Sequence, residues 1–198
     1  MGGAGMIPTE EQAKQLWEKY GLPEKKREHV ALVARVAIFL ATKVKSQKPA
    51  RRRGRSKVKI DEKLLIAGAL LHDIDKNVPK LPGERHPDAG VRILREEGMG
   101  EVADIVKTHS VHAILDPMIA PKTWEEKLLF FADKMVKQEV IGVDARFKQW
   151  NEEHLPPEEL ALLARAYPKV KDLEAEILRF IGMEPWEALL KIQASLLV

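Results

Sequence analysis

The sequence predicts an all-α protein, and three observations carry that reading. Two capping boxes, Thr9-Glu10-Glu11-Gln12 and Thr123-Trp124-Glu125-Glu126, place a hydroxyl and a Gln or Glu three residues apart, as a helix N-terminus requires. Between proline and glycine breaks, apolar residues recur at spacings of three and four. No strand-like alternation, internal repeat or low-complexity tract interrupts this pattern, apart from one basic stretch.

The first helix opens at Thr9 and stops at Gly21 and Pro23. With the short leader from Met1 to Gly5, read as flexible, it makes up residues 1–22. A second helix starts at Pro23, whose missing N–H costs nothing in a first turn, and runs to about Val44. His29 shares its apolar face with Val33, Val36 and Leu40. Residues 45–59 hold Pro49 and Gly54 among many charges and have no hydrophobic period, so they read as an exposed, mobile loop. Asp61 caps a third helix over 62–74, with Leu65, Gly68, Ala69 and His72 on one face. After a loop marked by Pro79, Pro82 and Gly83, a fourth helix starts at His86-Pro87 and ends at Gly98. The fifth covers 101–112, with Val102, Ile105 and His109 at helical spacing. The second capping box opens a helix to about Gln138, on which Leu129, Asp133 and Val136 face one way. Further helices are expected over 143–150, 157–166, 168–181 and 185–197, and residues 151–198 read as a C-terminal helical extension.

Composition excludes several function classes. A chain of 198 residues supports one well-buried core, and 45% hydrophobic with 32% charged residues describes a globular protein. Cysteine is absent, so any metal must be held by His, Asp or Glu; the absence also fits a reducing cytoplasm, the expected location. No segment reaches the roughly 18–20 apolar residues of a membrane span, and the N-terminus lacks signal-peptide regions. Net charge is +3, yet nine Lys or Arg and no acid lie between Lys43 and Lys59. The rest of the chain is acidic, so the basic balance comes from one local feature. Asn occurs only at Asn77 and Asn151 while Glu and Lys abound, a usage seen in thermophilic proteins.

Six residues stand out: His29, His72, Asp73, His86, His109 and Asp133. Imidazole nitrogen and carboxylate oxygen are the donors that Fe, Mn, Co and Zn accept together. Each has an ordinary alternative. A histidine on an apolar face can be a hydrogen-bonded core residue, His-Asp at a helix end can form a local ion pair, His86 can stand in as an N-cap, and Asp133 can pair with a lysine. The conjunction favours a shared site. Asp133 sits among Leu128, Leu129, Phe130, Phe131 and Ala132, where an unpartnered carboxylate is costly. His29, His72 and His109 sit on apolar faces of three further helices, and polar residues on four helices satisfy one another most economically around a metal in the bundle core.

The order His, His-Asp, His, His, Asp resembles the HD-domain metal-dependent phosphohydrolases, small stand-alone members near the symmetrical dinucleoside-tetraphosphate hydrolase branch. Leu70-Leu71-His72-Asp73-Ile74-Asp75-Lys76 is similar to that family's helix-ending motif, and His86-Pro87-Asp88-Ala89-Gly90 to its next helix start. Ile105-Val106-Lys107-Thr108-His109-Ser110 and Phe131-Ala132-Asp133-Lys134 are similar to its later His and Asp motifs. The resemblance spans about Glu24 to Phe147, nearly two-thirds of the chain, and the domain it implies is residues 23–150. It implies a helical bundle and two divalent ions (Fe, Mn, Co or Zn rather than Mg alone). His29, His72, Asp73 and Asp133 would hold one ion, and His86 and His109 the other, with Asp73 bridging. The chain departs from the pattern in its long His29–His72 gap and in Asp75, which stands where a small residue is usual.

The activity so implied is hydrolysis of a phosphoester or phosphoanhydride, of a nucleotide or related small molecule, by metal-activated hydroxide. Asp73 and Lys76 are the catalytic candidates, Lys76 as a phosphate contact or as a solvated lysine near a helix C-terminus. Arg146, in an Arg-Phe element that resembles one in the family, reads as a phosphate contact or, slightly preferred, an ion-pair partner. His112 reads as an exposed side chain or a proton donor to a leaving group, and Asp75 as a loop residue or a support for a ligand. Arg51, Arg52 and Arg53 in the basic loop are candidates for holding phosphate, though such runs are often simply solvated. Nucleic-acid binding through the loop is less favoured, because no aromatic residue lies there for base stacking. A diiron oxygenase on the same ligands and a non-catalytic nucleotide- or nucleic-acid-binding protein are the competing readings. The apolar face of the last helix can serve the core or a homodimer.

Overall fold

The computed structural model describes residues 5–47 and 58–197. Its elements are α1 (Glu10–Lys19), α2 (Glu24–Ser46), α3 (Glu62–Leu71), α4 (Asp88–Glu96), α5 (Gly100–Lys107), a 3₁₀ turn (Val111–Leu115), α6 (Trp124–Met135), α7 (Val143–Glu152), α8 (Pro157–Ile181) and α9 (Pro185–Ser195). Among the described residues there is no β-strand beyond one isolated antiparallel bridge, Val136 to Val140. The class is all-α, as the sequence predicts. Arg51, Arg52 and Arg53, most of the basic loop and most of the leader lie outside the described residues.

The core forms where α2, α3 and α6 meet. Val33, Val36, Ala37, Leu40 and Ala41 of α2, Leu65, Ala69 and Leu71 of α3, and Leu128, Leu129, Phe130 and Phe131 of α6 are all fully buried. Gly68 of α3 brings α5 close: a methyl at that position would lie 2.1 Å from Ile105 Cδ1. Trp17 of α1 donates its indole N–H to the Leu70 carbonyl at 2.8 Å, tying α1 to the end of α3. Both capping boxes form, at Thr9 and Thr123. No described helix is long and apolar enough to cross a membrane.

Helix boundaries differ from the sequence reading at four places, each for a physical reason. α3 stops at Leu71, so His72, Asp73 and Ile74 lie in the turns after it. α5 stops at Lys107, so His109 is not on a helix with Val102 and Ile105; its backbone N–H bonds the Val106 carbonyl three residues back in a tightened turn. α6 ends at Met135 because Val136 turns extended to form the bridge with Val140. The helices expected over 157–166 and 168–181 are one, since α8 runs through Pro168. Pro168 and Ala164, whose carbonyl loses its acceptor role, are both exposed, and water can satisfy the freed group. The buried positions Leu163, Ala166, Val170, Leu173 and Ile177 keep helical spacing across the proline.

Candidate metal centre

The candidate ligands arrive from helix ends and their following turns. His29 lies one turn and a half into α2, His72 and Asp73 follow α3, His86 precedes α4, His109 follows α5, and Asp133 sits in the last turn of α6. The structure brings all six together. Three groups form, His29 with His72 and Asp73, His72 with His109 and Asp133, and Asp73 with His86 and His109; in each, one donor atom per residue lies within 4.8 Å of the others. His72, Asp73 and His109 therefore each belong to two of these groups, and Asp73 and His109 share one with His86.

The histidine tautomers make the case for a cation. His29 Nδ1 lies 2.9 Å from the Lys137 carbonyl, His72 Nδ1 2.7 Å from that of Ala69, and His109 Nδ1 2.6 Å from that of Val106. His86 Nδ1 lies 2.9 Å and 3.2 Å from the two Asp75 oxygens. A carbonyl or carboxylate only accepts, so each Nδ1 must carry the ring's proton. Wherever these rings are neutral, their Nε2 atoms then present lone pairs inward. There they meet other lone pairs: His29 and His72 face Asp133 Oδ1 at 3.1 and 3.4 Å, His86 faces Asp73 Oδ1 at 3.4 Å, and His86 and His109 approach each other at 2.9 Å. His72 Nε2 is buried with no hydrogen-bond partner. Lone pairs converging this way repel unless protons or metal ions sit between them, so the donor set fits divalent cations.

Electrostatics around the centre follow from burial and pairing. Burial works against the ionised Asp133, but Lys134 and the His29 and His72 contacts outweigh it and hold its carboxyl well below the usual range. Asp73 is likewise held far down despite burial, by His72, Lys76 and Lys26. Burial lowers His72, yet Asp73 and Asp133 overcome that and its pKa is raised, while burial together with the neighbouring His72 and His86 drives His109 well below the ordinary imidazole value. Lys134 is itself buried, a burial that lowers its pKa; it donates to the His109 carbonyl at 2.8 Å and pairs with Asp133.

The cations nearest the centre were partly legible. Lys76 Nζ stands 3.3 Å from Asp73 Oδ1, so it is paired and not merely solvated. The lysine that Asp133 can pair with is Lys134, whereas Lys26 escaped the sequence reading: Lys26 Nζ lies 2.8 Å from Asp73 Oδ2 and stays 39% exposed. Its signal was its place one turn before His29. Arg146 makes no ion pair among the described residues, contrary to the preferred expectation. Its guanidinium stacks 4.2 Å from the Trp150 ring centroid, with Nε and Nη1 buried and unpartnered, and burial lowers its pKa. His112 is half-buried and not freely exposed; Ser110 Oγ lies 3.0 Å from its Nδ1. Asp75 is buried against His86.

The HD domain family model matches residues 27–194, and the chain belongs to that family. The match runs through α8 and most of α9. A tRNA (cytidine(56)-2'-O)-methyltransferase of Thermoplasma volcanium is 31% identical over 141 residues, which is 66% of this chain. The chain spans only 37% of that relative's length. No solved structure matches the chain. Family and site together define a member of the metal-dependent hydrolase superfamily with a His/Asp cluster suited to metal.

Proposed function

We propose that this protein is a metal-dependent phosphohydrolase that cleaves a phosphoester or phosphoanhydride of a nucleotide or related small molecule. The observation that carries the reading is the inward convergence of four Nε2 atoms and two carboxylates beside the cationic Lys26, Lys76, Lys134 and Arg146. When bound, divalent ions supply Lewis acidity toward a phosphoryl oxygen and acidify water to near neutrality. An imidazole-rich donor set suits Mn, Fe, Co or Zn better than Mg alone.

The chain's own residues supply the remainder. Asp73 lies within reach of both ends of the cluster and suits a bridging role. Lys26 and Lys76 each rest on one Asp73 oxygen, so an anion arriving at that carboxylate meets two ammonium groups. The unpartnered Nε and Nη1 of Arg146 are donors awaiting an acceptor, and a phosphate oxygen is the acceptor this centre would bring. Lys134 keeps Asp133 ionised while fixing the His109 backbone. On the sequence alone, Arg51, Arg52 and Arg53 are further candidates for holding phosphate.

The test is metal analysis of the purified protein, then phosphate and product assays on nucleotides, dinucleoside polyphosphates and cyclic dinucleotides with Mn, Fe, Co and Mg. Metal-dependent cleavage abolished by Asp73→Ala is expected. Oxygen consumption coupled to product, with no phosphate-bond cleavage, would overturn the reading in favour of a diiron oxygenase. RNA as the phosphoester is a second reading, favoured by the tRNA-acting name of the relative and by the nine basic residues between Lys43 and Lys59. It predicts RNA binding that weakens steeply with salt. The relative's methyl-transfer activity is not carried over.

A further inference from the structure

Asp75 is the position where the chain departs from the pattern it otherwise resembles, and it is the acceptor for one ligand only. Its side chain is wholly buried, and among the described residues its side-chain hydrogen bonds all go to His86 Nδ1, one to each oxygen, at 2.9 and 3.2 Å. His86 needs such a partner more than the other three histidines do. It lies in the turn before α4, and its side chain is 24% exposed against 9% for His29 and 1% for His72, with His109 also buried. The other rings are anchored on backbone carbonyls; only this one is anchored on a carboxylate.

We propose that Asp75 is a positioning residue that makes the His86 side of the centre a separate, second metal position. The carboxylate fixes the Nδ1–H tautomer, aims Nε2 at Asp73 and His109, and lends the ring more electron density than a carbonyl does. The ion that His86 and His109 would hold with the shared Asp73 then depends on Asp75, whereas the ion that His29, His72, Asp73 and Asp133 would hold does not. The inference rests on the metal-centre reading and is independent of which bond the enzyme cleaves.

The experiment is a Mn titration of the metal-free full chain by calorimetry, with bound metal counted per chain, for wild type, Asp75→Ala, Asp75→Asn, His86→Ala and the Asp75→Ala/His86→Ala pair. Wild type is expected to show two classes of site. Asp75→Ala should keep the first and lose about 10- to 100-fold in affinity at the second, the range for removing such an orienting partner. Asp75→Asn keeps an oxygen acceptor but not the charge, so it should fall between, and it keeps the measurement available if the alanine variant does not fold. The double variant should match His86→Ala alone. Equal weakening of both classes, an unchanged second class, or added loss in the His86→Ala background would overturn the proposal, as would a wild-type chain binding a single ion. Two-site binding with the expected Asp75 effect but no phosphate-bond cleavage would leave it standing and overturn only the proposed activity.

Discussion

Gly68→Ala tests whether helix packing sets the geometry of the centre. The added methyl would lie 2.1 Å from Ile105 Cδ1 and 2.8 Å from Cγ1, against a carbon–carbon optimum of about 3.5–4.0 Å. Ile105 must therefore retreat by roughly 1–2 Å or the helices must part, and at 4% exposure it has little space to enter. Overpacking of this kind costs about 1–3 kcal/mol, of which alanine returns about 1 kcal/mol through helix propensity. The net loss is about 1 kcal/mol, or about 2–4 °C in Tm for a chain of this size. The effect on metal should be larger than the effect on stability. Gly68 stands four residues before His72 and Ile105 four before His109, so the push falls between the helix ends that carry adjacent rings, 4.8 Å apart at their centroids. Urea denaturation of the metal-free protein and a Mn titration measure the two effects, and Ile105→Val, which removes Cδ1 but leaves Cγ1 at 2.8 Å, should restore part of both. A Gly68→Ala chain that is more stable than wild type and binds Mn as tightly would refute the reasoning.

Other substitutions probe the site and its surroundings. His72→Ala and Asp133→Ala should each lose bound metal on purification, checked by elemental analysis, with full retention in both excluding the assigned centre. Arg146→Lys keeps a charge but not the planar fork, so it should raise KM for a cleaved phosphate substrate with little change in Tm; an unchanged KM would exclude Arg146 from substrate contact. Glu174 of α8 is raised by burial above the usual carboxylate value, with Lys171 opposing. A raised group contributes stability that is complete below its unfolded pKa and is lost as pH rises through the folded one. Glu174→Gln does not titrate, so its Tm relative to wild type should climb between pH 4 and pH 7, and a flat or falling difference would contradict this.

How much was legible in the sequence depended on what each signal encodes. Capping boxes are local, so Thr9 and Thr123 announced their helices correctly. A proline is local too, but Pro168 misled because helix continuation was decided by the apolar spacing of Leu163, Ala166 and Val170 beneath it. The six candidate ligands were readable because their types and order are unusual. Their supports were not: the anchors of His29, His72 and His109 are backbone carbonyls, which carry no residue signature. Lys26 and Lys134 looked like ordinary charges, and only three-dimensional placement shows them on Asp73 and Asp133. His109 was given helical spacing with Ile105 that the early end of α5 does not allow.

The carbonyl anchors have an evolutionary corollary. The Ala69 and Val106 carbonyls lie three residues before His72 and His109, at helix ends where a carbonyl has spare acceptor capacity, and that of Val106 also accepts the His109 backbone N–H. Every amino acid carries that carbonyl, so no codon change at Ala69, Val106 or Lys137 deletes the acceptor for a ring. Those three candidate ligands are protected against point substitution in their supports. His86 alone relies on a side chain that one nucleotide change can remove, which makes its half of the centre the part a lineage could most readily gain, tune or discard.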